Sequence, residues 1–363
     1  MVKQTNLSAA FWEGDIYVVL DQTLLPERKE FLRITTPSMM YTAIAQMRVR
    51  GAPLIGAAAS AGVALAFRGS RDPVEREVVV SVCTQMASVR PTAVNLSAVV
   101  GEMLRYYDEH LVSCQTGAEQ FALMQRRSLE IHWRDHDRNC RMAEHGTLWV
   151  RRTLPDRRLR ILTHCNTGAL ATCGHGTALG VIRSLHAKGL IERVWIDETR
   201  PYLQGSRLTA FECVEEGIPH TIITDSAAAY LMAQGLVDLV LVGADRMARN
   251  GDFANKIGTY SLAIAAYHHE IPFVTVLPAE SIDLSIPDGS HIVIEERDAD
   301  EMLVWNGRRI APIASPGLHL SFDVVPHRLV TAVITENGVW EGTIDEKTVE
   351  KMVALDSDSP HRA

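Results

Sequence analysis

The chain has no excess of positive charge: 36 Lys and Arg stand against 44 Asp and Glu, a formal net charge of −8. Affinity for a polyanion rests on clustered cations, so no nucleic-acid partner is expected. A small anionic substrate remains open, because a few local cations suffice to hold one phosphate. No apolar run reaches the roughly 18 residues of a membrane-spanning helix, so no membrane partner is expected either. The most apolar window, residues 54–67, is short, rich in Ala and Gly, and reads as a buried helix. The opening residues, Met1-Val2-Lys3-Gln4-Thr5-Asn6-Leu7-Ser8, have no apolar segment behind a basic start and do not read as a secretory signal. Six cysteines, Cys83, Cys114, Cys140, Cys165, Cys173 and Cys213, form no C-x-x-C pair and no repeated spacing. Neither a disulfide framework nor a zinc site is therefore expected, and a cytoplasmic chain with free thiols is the simplest reading. No period of 20–50 residues marks a solenoid.

At 363 residues the chain is long enough for two compact domains. Its pattern changes near residue 148. Before that point two short β-like runs, 16–20 and 30–34, suggest a hairpin across Pro26. Helical patterns then cover 38–47, 53–67, 74–88, 96–107 and 117–149. Residues 1–148 are thus expected to form a smaller, mainly helical N-terminal domain carrying a short β-hairpin. Beyond it, strands expected at 159–163, 193–196, 221–223, 237–242 and 273–276 alternate with helical stretches around 176–188, 203–216, 227–234 and 257–269. Runs of Val, Ile and Leu without polar alternation fit strands buried on both faces. The expected fold class is α/β, with residues 149–363 a Rossmann-like parallel-sheet catalytic domain that binds ligand at the carboxyl ends of its strands.

Small, polar and ionisable residues gather where those strands end. His164-Cys165-Asn166-Thr167-Gly168 follows the first parallel strand. Its thiol is either a reactive group facing the crevice or a small buried residue at a tight turn. Val242-Gly243-Ala244-Asp245-Arg246 closes a second apolar run. A partly desolvated carboxyl there suits proton transfer near neutrality, and the alternatives are an ion pair with Arg246 or a helix cap. Asn250-Gly251-Asp252 leads through Asn255 and Lys256 into a helix, a possible anion site of helix-start N–H groups and an ammonium, or else a capped helix with an exposed lysine. Arg48 and Arg50 precede a helix at Gly51-Ala52-Pro53, and Arg90 precedes another. Each is a phosphate contact or a solvated loop arginine. Several such sites without a large basic patch point to one small phosphorylated substrate. The dinucleotide fingerprint G-x-G-x-x-G is absent after the first parallel strand, so a nucleotide-dependent dehydrogenase is not expected.

These segments resemble the methylthioribose-1-phosphate isomerase family, which is related to the regulatory subunits of the eukaryotic initiation-factor guanine-nucleotide exchanger. The resemblance rests on Arg50-Gly51-Ala52-Pro53-Leu54-Ile55-Gly56, Arg90-Pro91-Thr92-Ala93-Val94-Asn95-Leu96 and His164-Cys165-Asn166-Thr167-Gly168-Ala169-Leu170-Ala171-Thr172. It continues through Asp197-Glu198-Thr199-Arg200-Pro201-Tyr202-Leu203-Gln204-Gly205, Gly243-Ala244-Asp245-Arg246 and Ala254-Asn255-Lys256-Ile257-Gly258-Thr259-Tyr260. It implies a catalytic thiol at Cys165, a catalytic acid/base carboxyl at Asp245, and substrate contacts from Arg50, Gly51, Ala52, Arg90, Gln204, Asn255 and Lys256. It also implies a homodimer, an aldose–ketose isomerisation in methionine salvage, and no metal or organic cofactor. Two stretches depart from the family pattern. Cys173-Gly174-His175-Gly176 stands where Gly-Gly-Tyr-Gly is usual, and Leu320-Ser321-Phe322-Asp323-Val324 replaces Asn-Pro-Ala-Phe-Asp. Both bear on the pocket for the 5-substituent, so an isomerase of 5-deoxyribose 1-phosphate is the nearest alternative. A non-catalytic sugar-phosphate-binding regulatory subunit is the alternative from another class.

Overall fold

The structure, a computed structural model, describes residues 7–89, 94–305 and 307–354. They fall into two compact units, one holding residues 7–138 with Gly168–Gly176, the other Asn139–Thr167 with residues 177–354.

In the first unit, β1 (Ala10–Glu13), β2 (Ile16–Leu20) and β3 (Phe31–Ile34) pair antiparallel in that order. The last two are the expected hairpin. β1 is an addition, its four residues Ala-Phe-Trp-Glu being too few to display an alternation. Helices α1 (Pro37–Ala45), α2 (Ala52–Ala64), α3 (Arg76–Ser88) and α4 (Val94–His110) follow, then the first part of α5 (Gly117–Thr153). Thr36 caps α1 by accepting the Met39 N–H at 3.3 Å, with Pro37 at the first position, where no N–H is needed. α2 is buried from Leu54 to Ala64, which is why its sequence shows no polar face. Its small residues admit close neighbours: a Cβ on Gly62 would lie 2.9 Å from both Met40 Cγ and Met86 Cε.

The second unit is built on a seven-stranded sheet. β4 (Leu159–Thr163), β5 (Ile191–Asp197), β6 (His220–Ile223) and β7 (Leu239–Gly243) precede a hairpin of β8 (Arg246–Ala248) and β9 (Phe253–Lys256), and β10 (Phe273–Val276) comes after it. Across the sheet the order is Gly338–Glu341, Ala332–Thr335, β10, β7, β4, β5, β6. Every neighbouring pair is parallel except the edge pair Ala332–Thr335 with Gly338–Glu341. Successive strands run outward from β4 in one direction as far as β6, then from β7 in the other. The order therefore reverses between β4 and β7, the kind of place where open parallel sheets bind ligands.

Both faces of this sheet are covered. Ile161, Leu239, Leu241, Val274 and Ile334 pack with Trp149 of α5 and with Leu179, Ile182 and Leu185 of α6 (Ala178–Ala187). Cys213 of α7 (Ala210–Glu216) joins the same core. Leu162, Val240, Val242, Phe273 and Val333 point the other way. They pack with Met232 of α8 (Ala228–Ala233) and with Leu262, Ala263 and Ala266 of α9 (Thr259–His268). Alternate residues of one strand thus enter two apolar cores, which is the physical origin of the unbroken Val/Ile/Leu runs. Each such side chain contributes about 1.5–3 kcal/mol by leaving water. Among the described residues no helix is long and apolar enough to cross a membrane.

Candidate active site

The chain leaves β4 at Thr163 and places His164, Cys165 and Asn166, all buried, beyond its carboxyl end. Thr163 pairs with Ile196 of β5 on one side and with Leu241 of β7 on the other, so the thiol sits over the middle of the sheet. Cys165 has a left-handed backbone, φ +59°. Thr199 and Leu203, in the loop after β5, share that conformation at φ +62° and +59°. Non-glycine residues in this region cost about 1–3 kcal/mol each and persist only where the surroundings hold them. Here the surroundings are specific. The Cys165 N–H donates to Thr199 Oγ1 at 2.8 Å, Thr199 Oγ1 donates to the Asp197 carbonyl at 3.0 Å, and Thr209 Oγ1 donates to the Cys165 carbonyl at 2.5 Å. Asp225 anchors the same loop by accepting the N–H groups of Thr199 and Arg200, both at 2.7 Å.

The expected helix over 203–216 opens instead with a π-helical turn, Gly205–Thr209, before α7. Such turns recur at functional sites. Gly205 is required there, since a Cβ would lie 1.7 Å from the Asp197 carbonyl oxygen. Gly205→Ala is expected to destabilise the fold by at least about 3 kcal/mol, as severe overpacking against backbone does, and to shift Thr199 and Thr209 off Cys165. Denaturant unfolding of the variant beside wild type measures the loss. Gln204, just before this turn, is buried, and its Oε1 accepts no hydrogen bond among the described residues. A buried acceptor of this kind is costly unless a ligand hydroxyl completes it.

β7 ends at Gly243, where a Cβ would meet Thr167 Cγ2 at 2.8 Å, so the end of β7 lies against the loop that carries Cys165. Asp245, half-buried, follows two residues later, and its N–H donates to the Ala254 carbonyl of β9 at 2.9 Å. Arg246 turns its guanidinium to Asp283. Asn250-Gly251-Asp252 makes the turn of the β8–β9 hairpin: Ala248 N–H donates to the Asp252 carbonyl at 2.8 Å and Gly251 has φ +90°. The Asp252 carboxylate accepts from Asn250 Nδ2, the Gly289 N–H and the His327 N–H, so its role is to hold loops together.

Asn255 and Lys256 end that hairpin. Asn255 is buried and donates through Nδ2 to Thr259 Oγ1 at 3.0 Å. Lys256 Nζ donates to the Ser321 carbonyl at 2.9 Å and lies 4.2 Å from the centre of the Phe322 ring. The sequence left the start of α9 as either an anion site or a capped helix end, and the second holds. Asp323 takes its N–H groups, accepting from Gly258 at 2.8 Å and Tyr260 at 3.1 Å. Burial raises the Asp323 carboxyl above its ordinary value, against the pull of these N–H groups and of His164. Any phosphate contact here would come from the Lys256 and Asn255 side chains.

The spacing of the sequence did not suggest one trio, of which His164 and Asp197 are buried and Asp225 half-buried. His164 Nδ1 lies 2.9 Å from Asp197 Oδ2, its Nε2 lies 2.8 Å from the Ile257 carbonyl, and Asp225 adds a carboxylate oxygen within 4.8 Å of the others. Burial works against charge on His164, but the bond and charge of Asp197 and the Ile257 carbonyl outweigh it and raise its pKa. Burial likewise pushes the Asp197 carboxyl up to about 6, against the pull of His164. The trio has metal-ligand residue types, yet both ring nitrogens are engaged with acceptors, which leaves no lone pair for an ion.

The structure thus gathers Cys165, Gln204, Asp245, Asn255 and Lys256 in one unit, on the segments that follow β4, β5 and β7 and on β9 itself. Arg50, Gly51 and Ala52 belong to the other unit, at the start of α2. Gly51 has φ +90° and a Cβ on it would lie 2.4 Å from the Ala171 carbonyl oxygen, which accepts the Leu54 N–H at 3.2 Å. Arg90 lies outside the described residues.

The model of the Initiation factor 2 subunit family matches residues 48–342. A methylthioribose-1-phosphate isomerase of Caldicellulosiruptor saccharolyticus is 46% identical over 332 residues, 90% of this chain and 94% of that protein. The solved 5-methylthioribose 1-phosphate isomerase of Pyrococcus horikoshii OT3 superposes with a TM-score of 0.88 at 39% identity, over 96% of both chains. A structure from A. fulgidus described as translation initiation factor eIF-2B, subunit delta, has a TM-score of 0.84 at 38% identity, over 96% of this chain and 99% of that one. By the extent of these matches the chain belongs to the Initiation factor 2 subunit family, and within it to the methylthioribose-1-phosphate isomerases.

Proposed function

We propose that this protein is an aldose–ketose isomerase converting 5-methylthioribose 1-phosphate to 5-methylthioribulose 1-phosphate in methionine salvage, with Cys165 and Asp245 as its chemical pair. The observation that carries the proposal is their placement after neighbouring parallel strands at the reversal of strand order, in a chain 46% identical to an isomerase of that name. The parallel-sheet unit then serves as a Rossmann-like catalytic domain, and the protein works as a cytoplasmic homodimer.

The 1-phosphate locks the sugar as a cyclic acetal-like phosphate without a free aldehyde. Isomerisation therefore begins by breaking the bond from C1 to the ring oxygen, with a proton delivered to that oxygen. Hydrogen moves from C2 to C1, and the C2 hydroxyl gives up its proton to become the ketone, so the proton gained at the ring oxygen is balanced. Asp245 carries this proton work at both oxygens. Cys165 is the second acid/base group beside the migrating hydrogen. Arg50, Gly51, Ala52, Arg90, Gln204, Asn255 and Lys256 are proposed as substrate contacts, with the cations holding the phosphate. Fixing the substrate this way supplies a large share of the rate.

An apolar pocket separates ligands that differ by one small group by about 10–200-fold. Accordingly kcat/KM for methylthioribose 1-phosphate is expected to exceed that for 5-deoxyribose 1-phosphate by a factor in that range. Ketose formation from each substrate, followed by NMR without added cofactor, gives the ratio. Equal or reversed preference would move the enzyme to disposal of 5-deoxysugars.

A further inference from the structure

We infer that His164 is a positioning residue, a doubly protonated imidazolium that fastens the loop following Asn255 and Lys256 to the strand ends bearing Cys165 and Thr199. The inference rests on the isomerase reading for its kinetic consequences, but its structural part stands apart from it. The Ile257 carbonyl can only accept, so Nε2 must carry hydrogen to make the 2.8 Å bond. Nδ1 faces the Asp197 carboxyl at 2.9 Å, with His164 and Asp197 both buried. A neutral ring would require a protonated Asp197. The surroundings favour the cation instead: Asp225 lies within 4.8 Å, Asp323 on the strand Phe322–Val325 acts on the ring, and Glu198 adds negative charge beside Asp197. Lys256, next to Ile257 in the chain, directs its ammonium to the Ser321 carbonyl.

One ring thereby joins three segments. It follows β4 immediately, it binds the last residue of β5, and it grips the turn between Lys256 and α9. The grip is close, because a Cβ on Gly258 would lie 2.9 Å from His164 Cε1. Asp197 is in turn tied to Cys165 through Thr199 Oγ1. Loss of the proton would leave one acceptor facing a bare nitrogen. The clasp is therefore intact at neutral pH, weakens as the Asp197 carboxylate takes up a proton below about 6, and fails as pH rises through the raised pKa of the ring.

The test uses the full-length, 15N-histidine-labelled protein. Long-range 1H–15N spectra report whether each ring nitrogen carries hydrogen, and His164 is identified by the signals lost in His164→Gln or, should that variant not fold, displaced in Asp197→Asn. Both nitrogens of His164 are expected to stay protonated at neutral pH, above the ordinary histidine range. In kinetics, His164→Asn, which can keep the Asp197 bond but not the Ile257 bond, should raise KM roughly tenfold, whereas His164→Gln, which can keep the Ile257 bond, should raise it by less than about threefold. A bare ring nitrogen on His164 at neutral pH, or equal KM changes in the two variants, would overturn the clasp. If wild type turns over no aldose 1-phosphate, the isomerase reading falls and the spectrum alone decides for or against the clasp.

Discussion

Asp245→Asn is expected to lower kcat by about 10²–10⁴-fold, the usual contribution of a positioned general acid–base group. The amide matches the carboxyl in shape but cannot shuttle a proton between the ring oxygen and the C2 hydroxyl. The main-chain framework should not change. The main-chain bond from Asp245 to Ala254 does not involve the side chain, and Gly243, not Asp245, fits the end of β7 against Thr167. The unfolding midpoint should therefore stay near that of wild type, and saturable binding of the sugar phosphate should persist. Single-turnover kinetics beside equilibrium binding separates the two effects. A variant with near-normal kcat would remove Asp245 from the chemistry.

Cys165→Ser is expected to have an effect of the same order, about 10²–10⁴-fold on kcat, for a different reason. A thiol ionises near pH 8.5 and can exchange a proton near neutrality, whereas a serine hydroxyl does so only with help from a neighbouring base. Two bonds that hold position 165, from its N–H to Thr199 and from Thr209 to its carbonyl, use its backbone atoms and survive the exchange. The left-handed backbone at 165 should persist as well, so a loss of turnover with retained fold isolates the sulfur. Retained turnover would make Cys165 a packing residue, the other reading its buried position permits.

The parts of this fold that were legible in the sequence are those whose partners lie close in the chain or whose pattern is uniform. β4 and β10 stand at the expected residues because strands buried on both faces are unbroken apolar runs between turns. α2 was legible from its Ala- and Gly-rich stretch. The parallel strand Ala332–Thr335 and its edge partner Gly338–Glu341 were not among the expected strands. The π-helical turn at Gly205–Thr209 kept a helical pattern while changing its hydrogen bonding, which residue types alone do not report.

The placement of Cys165 and Asp245 just past strand ends was legible because each closes an apolar run, and the parallel sheet brings β4 and β7 side by side. The capped start of α9 was not. Its partner, Asp323, is 65 residues away from Gly258, and a helix start looks the same in sequence whether a carboxylate or a phosphate meets it. The His164–Asp197 contact was hidden for the same reason, although both residues stand inside motifs that drew attention. The left-handed backbones at Cys165 and Thr199 leave no trace in residue type. They are held by a hydrogen bond between two loops.

The most direct test is to incubate the purified protein with methylthioribose 1-phosphate alone and follow the sugar by NMR. Formation of the ketose 1-phosphate, with no cofactor added, is the predicted result. Saturable binding without any ketose would contradict it, and would make the chain a sugar-phosphate-binding regulatory protein in which Cys165 and Asp245 do no chemistry.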